Sequence, residues 1–133
     1  MPFIEVEGLG DDYEDVIVPE SSYNLRVIDA KDQRNKENTC DQILCLIKVE
    51  DSEYPNPATI FHYLTFPGPG DDTQKRRDKM RFVTRFLKTF NVAFEKNGVN
   101  SEDITGSTAS SVLVKQDDYE GVTKNVIQLA AIE

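Results

Sequence analysis

Phe61 and Tyr63 stand two residues apart in the stretch 59–66, TIFHYLTF. On an extended chain, residues two apart share a face. If Ile60 and Leu64 turn inward, Phe61 and Tyr63 turn outward together. They then offer two flat rings on which bases stack, worth roughly 1–3 kcal/mol per base. The opposite orientation buries both rings and exposes His62, the chain's single histidine. Leu44, Leu46 and Lys48 take alternate positions in the apolar stretch 42–50 and fall on the same outer face if the two stretches pair.

Cations supply the second half of such chemistry, because a nucleic-acid backbone is a line of negative charge. Arg26, Lys31, Arg34 and Lys36 cluster in and around the polar stretch 30–39, which reads as a loop of about ten residues, more than a tight hairpin needs. Arg77, Arg81, Arg85 and Lys88 recur at helical spacing within about 80° of arc. Residues 71–90 hold seven bases against Asp71, Asp72 and Asp78, a local balance of +4. A solvated helix face is the plain reading of that stripe; a track for a backbone, or a dock for an acidic segment, is the functional one.

Catalysis has no comparable foothold. The sequence lacks G-x-x-x-x-G-K-[ST], G-x-G-x-x-G, G-x-S-x-G and H-E-x-x-H. Gly68-Pro69-Gly70 precedes a helix, but no Lys follows, and Asp71 and Asp72 would repel a phosphate there. Cys40 and Cys45 lack the spacing of zinc and redox motifs and read as two reduced thiols in or near a core. The expectation is a protein that is not an enzyme, with no catalytic residues, no metal and no cofactor.

The net charge of −9 over 133 residues argues, taken whole, against a phosphate-bearing partner. Its distribution changes that. Residues 1–20 carry Glu5, Glu7, Asp11, Asp12, Glu14, Asp15 and Glu20 and no Lys or Arg, a balance of −7. The remaining residues hold 17 acids and 15 bases, only −2. The division expected is an acidic N-terminal arm, 1–20, and one domain, 21–133. Such an arm is either a solubilising terminus or a segment that competes for a basic surface. No run of about 18 apolar residues exists and no signal-like start is seen, so no membrane and a cytoplasmic location are expected.

These residues need elements to position them. The stretch 22–29 alternates with Tyr23, Leu25 and Val27 on one face; Ile43, Cys45, Ile47 and Val49 share one face of the next; 59–66 is a third strand, stopped by Pro67. A helix over about 72–90 follows, capped by Asp71 or Asp72, with Met80, Phe82, Val83, Phe86, Leu87 and Phe90 in an apolar arc of roughly 160°. Two further strands, 110–115 and 122–130, flank a turn-rich 116–121. Three strands, a helix and two strands predict a mainly β protein, a five-stranded OB-fold barrel with one helix between strands 3 and 4.

The chain also resembles the small single-stranded-DNA-binding OB-fold proteins of bacteriophages. The resemblance rests on VPESSYNLRVIDAK, the strand ending in Val49-Glu50-Asp51, the aromatic third strand, MRFVTRFLKTFNV, SEDITGSTASSVLV and KNVIQL, together roughly residues 19–130. It implies a protein that coats single strands in phage DNA replication or recombination, in the host cytoplasm, alongside phage or host replication proteins. Binding would use the outer face of the second and third strands and the basic first loop. Many such proteins end in an acidic tail, whereas this chain ends in NVIQLAAIE and carries its acids at the other end. The function expected is sequence-tolerant binding of single-stranded DNA through Arg26, Lys31, Arg34, Lys36, Lys48, Phe61, Tyr63, Arg77, Arg81 and Arg85. The alternative is a protein-interaction module, with the acidic arm of one copy laid on Arg77, Arg81 and Arg85 of the next in a homo-oligomer.

Overall fold

In the computed structural model, which describes residues 3–7 and 15–129, strict alternation of buried and exposed side chains builds the first three strands. Asp11, Asp12 and Glu14 of the acidic arm, Ala130 at the end of the last expected strand, and residues 131–133 lie outside the described residues, as does the Tyr119 side chain. Strand β1 (Ser21–Arg34) buries Tyr23, Leu25 and Val27. Strand β2 (Asp41–Val49) buries Ile43, Cys45, Ile47 and Val49. Strand β3 (Ile60–Thr65) buries Ile60 and Leu64. Helix α1 (Thr73–Thr89) and the single turn α2 (Ser101–Ile104) precede β4 (Thr108–Tyr119) and β5 (Val122–Gln128).

The sheet order is β3-β2-β1-β4-β5, every neighbouring pair antiparallel. The edges β3 and β5 curl toward each other, giving the nearly closed barrel of an OB-like fold, with the long helix between strands 3 and 4. Curvature enters at two irregularities. In β1 the register slips at Ile28, between Val27↔Ile47 and Asp29↔Leu46. In β4 it slips opposite Asn24, where Ser111 takes φ 54° and its N–H donates to Asn24 Oδ1 at 3.2 Å. An extra residue on one strand bends and twists it, which is what closing a sheet requires.

Two strands run further than their polarity suggests. The stretch 30–34 continues β1, paired residue by residue from Ala30↔Cys45 to Arg34↔Asp41. The expected ten-residue loop shrinks to a turn over 35–40, closed by Asn35, whose Oδ1 accepts the N–H groups of Thr39 (2.7 Å) and Cys40 (3.0 Å). Likewise β4 runs through Gln116, Asp117 and Asp118, and the connection to β5 is only Glu120 and Gly121, at φ 51° and 80°. Positive φ at both central residues matches the right-handed twist of a hairpin. A ribbon wet on its outer side needs no apolar alternation, so composition concealed these extensions.

Helix α1 plugs one end of the barrel. Asp72 caps it, its carboxylate accepting the Lys75 N–H at 2.8 Å. Asp71 holds the preceding turn instead, accepting from Gly68 N–H (2.9 Å) and Lys79 Nζ (2.6 Å), and these contacts depress its carboxyl pKa. A Cβ on Gly68 would meet the Thr39 carbonyl at 2.5 Å, so that turn packs against the β1–β2 connection only as glycine. Val83, Phe86, Leu87 and Phe90 are buried, Phe86 and Phe90 stacked at 4.4 Å. Met80 and Phe82, expected in the buried stripe, are 42% and 44% exposed, because they border the arc that meets the barrel. Beyond Phe90, Asn91 takes φ 56° and Val92 N–H reaches back to Leu87 O at 2.8 Å, a left-handed stop of the Schellman type.

Order also reaches back before β1. Val16 exchanges backbone hydrogen bonds with the 56–58 segment, donating to Asn56 O and accepting from Ala58 N–H, both at 2.8 Å. Val18 is fully buried, and the Asn125 side chain grips its backbone on both sides: Oδ1 accepts the Val18 N–H (2.9 Å) and Nδ2 donates to its carbonyl (3.0 Å). Asn125 is 4% exposed and stands in for a missing strand neighbour.

Candidate nucleic-acid interface

The inward turn of Ile60 and Leu64 decides the orientation of β3. Phe61 and Tyr63 point out, 56% and 48% exposed. His62 points in with Cys45 as its cross-strand partner, and stacks on Phe86 (5.1 Å) and Phe82 (5.3 Å) of the helix. Burial lowers its pKa to about 4, so the imidazole is neutral near pH 7. Burial likewise lifts Cys45 to about 12, which keeps its thiol protonated and unreactive. Cys40 and Cys45 are both buried free cysteines.

Cross-strand register then assembles the outer face in rows. Phe61 lies opposite Leu46 and, through it, Asp29; Tyr63 lies opposite Leu44 and Lys31; Thr65 lies opposite Gln42 and Gln33. Arg26 and Lys48 form the next row. Directly opposite residues share a face, so two exposed rings sit beside half-buried Leu44 and Leu46, with Lys31 at the far side and Arg26 and Lys48 at one end. Adjacent same-face positions on a strand are about 6.7 Å apart, so each ring can take a separate base.

The cations of this face are tethered. Arg26 Nε meets Glu50 Oε2 at 3.1 Å, Lys31 lies 3.9 Å from Asp29, and Lys48 Nζ donates to Pro57 O at 2.8 Å. Arg26 and Lys48 border an open depression of about 500 Å³, also lined by Tyr54, Glu50, Asp51 and Asp15. Asp15 belongs to the acidic arm, so the root of that arm enters this end of the face. Tyr54, in the proline-rich β2–β3 connection, adds an aromatic edge there, held by a T-shaped contact with Tyr23 at 6.1 Å.

The remaining sequence-selected cations lie elsewhere. Arg34 closes the β1–β2 hairpin, its Nη1 on Asp41 Oδ1 at 2.8 Å and its Nε on Asn38 Oδ1 at 3.0 Å. Lys36 is exposed in the turn. Arg77, Arg81 and Arg85 line a depression built by the helix alone, with Met80 and Thr84. Arg81 approaches Asp78 only to 4.0 Å, and the buried Arg85 Nε has no hydrogen-bond partner among the described residues. The structure thus unites Arg26, Lys31, Lys48, Phe61 and Tyr63 on one surface and sets the helix arginines on another. No group of His, Cys, Asp and Glu able to hold a metal occurs among the described residues, and none of their helices is long and apolar enough to cross a membrane. No protein-family model matches the sequence, and no curated protein matches it.

Proposed function

We propose that this protein binds single-stranded DNA with little regard to sequence, as a coating protein and not as an enzyme. The observation that carries the reading is the pair of outward rings, Phe61 and Tyr63, set beside Leu44 and Leu46 on the outer face of an OB-like barrel, with Arg26, Lys31 and Lys48 on the same face. Stacking on a ring is tolerant of sequence because every base has a π-face. Those cations follow the backbone. Arg34 serves the hairpin instead, and the helix arginines lie off this path. The resemblance to phage single-strand binders adds a setting to the proposal: DNA replication or recombination in a host cytoplasm, beside other replication proteins.

A fluorescence-anisotropy titration of labelled oligothymidine tests it. With three cations on the backbone, affinity should fall roughly ten- to twentyfold between 50 and 200 mM salt. Absence of binding at low salt, or binding that salt leaves untouched, would sink the reading.

A further inference from the structure

Two surfaces remain unused by that reading, and their chemistry is complementary. Helix α1 carries seven bases and one acid between Thr73 and Thr89, and its outward groove joins Arg77, Arg81 and Arg85 to the partly exposed Met80. At the other end of the chain, residues 3–7 read Phe-Ile-Glu-Val-Glu, with Phe3 89%, Ile4 79% and Val6 61% exposed. In the single chain, then, three large apolar side chains and a bare cationic groove both stand open to water.

The spacings agree as well. Arg77, Arg81 and Arg85 follow one another every four residues of helix, a rise of about 6 Å. In extended form Glu5 and Glu7 stand about 6.7 Å apart on one face, with Ile4 and Val6 on the other. Phe3 shares the face of Glu5 and Glu7, so one extended pentapeptide can set both carboxylates against successive guanidinium groups while the Phe3 ring covers Met80. The arm's root is fixed at Val16 by its bonds to the 56–58 segment, and the eight residues between 7 and 16 allow a span of roughly 30 Å. That is ample to reach a neighbouring molecule.

We infer that residues 3–7 of one copy dock on the groove of Arg77, Met80, Arg81 and Arg85 of a second copy, and that reciprocal exchange of these segments makes a dimer. Reciprocity closes the assembly at two chains, since each copy has one segment and one groove. The inference stands independently of DNA binding, because its residues are not those of the strand face.

Sedimentation or light scattering on the full chain decides it. At low salt and tens of micromolar protein, the mass should be twice the 15.1 kDa of one chain and should return to one chain in high salt. Phe3→Ser with Ile4→Ser, or Arg77→Glu with Arg81→Glu, should each give the single-chain mass with an unchanged circular-dichroism spectrum. Adding Glu5→Arg and Glu7→Arg to the arginine variant should restore the dimer. A single-chain mass under all conditions would overturn the inference, whether the segment is free or lies on its own helix. So would a dimer that neither pair of substitutions disturbs. Loss of oligothymidine binding in the arginine variant, with no change in mass, would assign the groove to nucleic acid instead.

Discussion

The outer face of β1–β2–β3 and the outer face of α1 are both cationic, yet they differ in what surrounds the charge. On the strands, Arg26, Lys31 and Lys48 each have a nearby oxygen partner, and two exposed rings share their face. On the helix, Arg77 and Arg85 form no ion pair among the described residues, and only Phe82, at the border of the face, offers a ring. Exposed ion pairs contribute little to stability, but they do lower the potential a polyanion meets. To a polyanion the strand face would offer rings first and charge second, whereas the helix face offers mainly charge. Ranked by cations the helix face comes first, and ranked by exposed rings the strand face does.

The largest expected effect separates them directly. Phe61→Ala with Tyr63→Ala should weaken oligothymidine binding by about thirtyfold or more, taking about 1–3 kcal/mol per stacked base. Replacing Arg77, Arg81 and Arg85 together by Ala should change it less than about threefold, as read by anisotropy. The reverse outcome would exchange the roles of the two surfaces.

The next effect concerns the residue wedged between them. His62 has a folded pKa of about 4, below the ordinary value of 6.5, so the unfolded chain takes up the proton first. Its contribution is fully present above about pH 6.5 and is lost as pH falls toward 4, at a cost of about 3 kcal/mol. Urea unfolding at pH 7 and pH 4 measures this. His62→Phe, which keeps the ring stack, should flatten that part of the slope, and an undiminished slope would mean that other groups carry it.

A smaller change should leave both surfaces in place while loosening the barrel beneath them. Asn125→Ala strips the partner from the buried N–H of Val18 and one of two donors from its C=O, which Gln116 Nε2 still meets at 3.0 Å, and should cost about 1–2 kcal/mol in chemical denaturation. Oligothymidine affinity of the folded fraction should be unmoved; a parallel fall in affinity would tie the arm's root to binding. Smallest of all, Lys48→Ala should weaken binding only a few-fold and reduce the steepness of its logarithmic salt dependence by about 0.7, one phosphate contact fewer.

Much of this architecture was readable before any coordinates. The apolar alternation of 43–49 set the inner face of β2, because burial on one side of a sheet writes a period of two into the sequence; β3 stayed open, since both of its faces carry large apolar or aromatic residues, until the burial of Ile60 and Leu64 fixed its inner face. The exposure of Phe61 and Tyr63 followed from the same rule once that inner face was known. Less was legible where pairing is made by backbone alone: the ends of β1 and β4 carry Asp32, Gln33, Asp117 and Asp118, which look like loop. That misplaced Lys31, a strand residue, and made Arg34 look available when Asp41 holds it. The grip of Asn125 on Val18 left no local trace at all, since a polar residue among polar neighbours gives no sign of a partner 107 positions away.

That distant grip also sets a schedule. Val18 and β1 are made well before the β4 partner of β1 and before the Asn125 clamp on Val18, which lies 107 positions further on. At synthesis rates of about 5–20 residues per second, the interval between Val18 and Asn125 is roughly 5–20 s. Until residues 73–89 are made, Leu25, Val27, Ile43 and Ile47 line a sheet without its helix, and until the final hairpin is made that sheet lacks β4 and β5. The hairpin that carries Asn125 is thus what completes the sheet around β1 and fixes Val18.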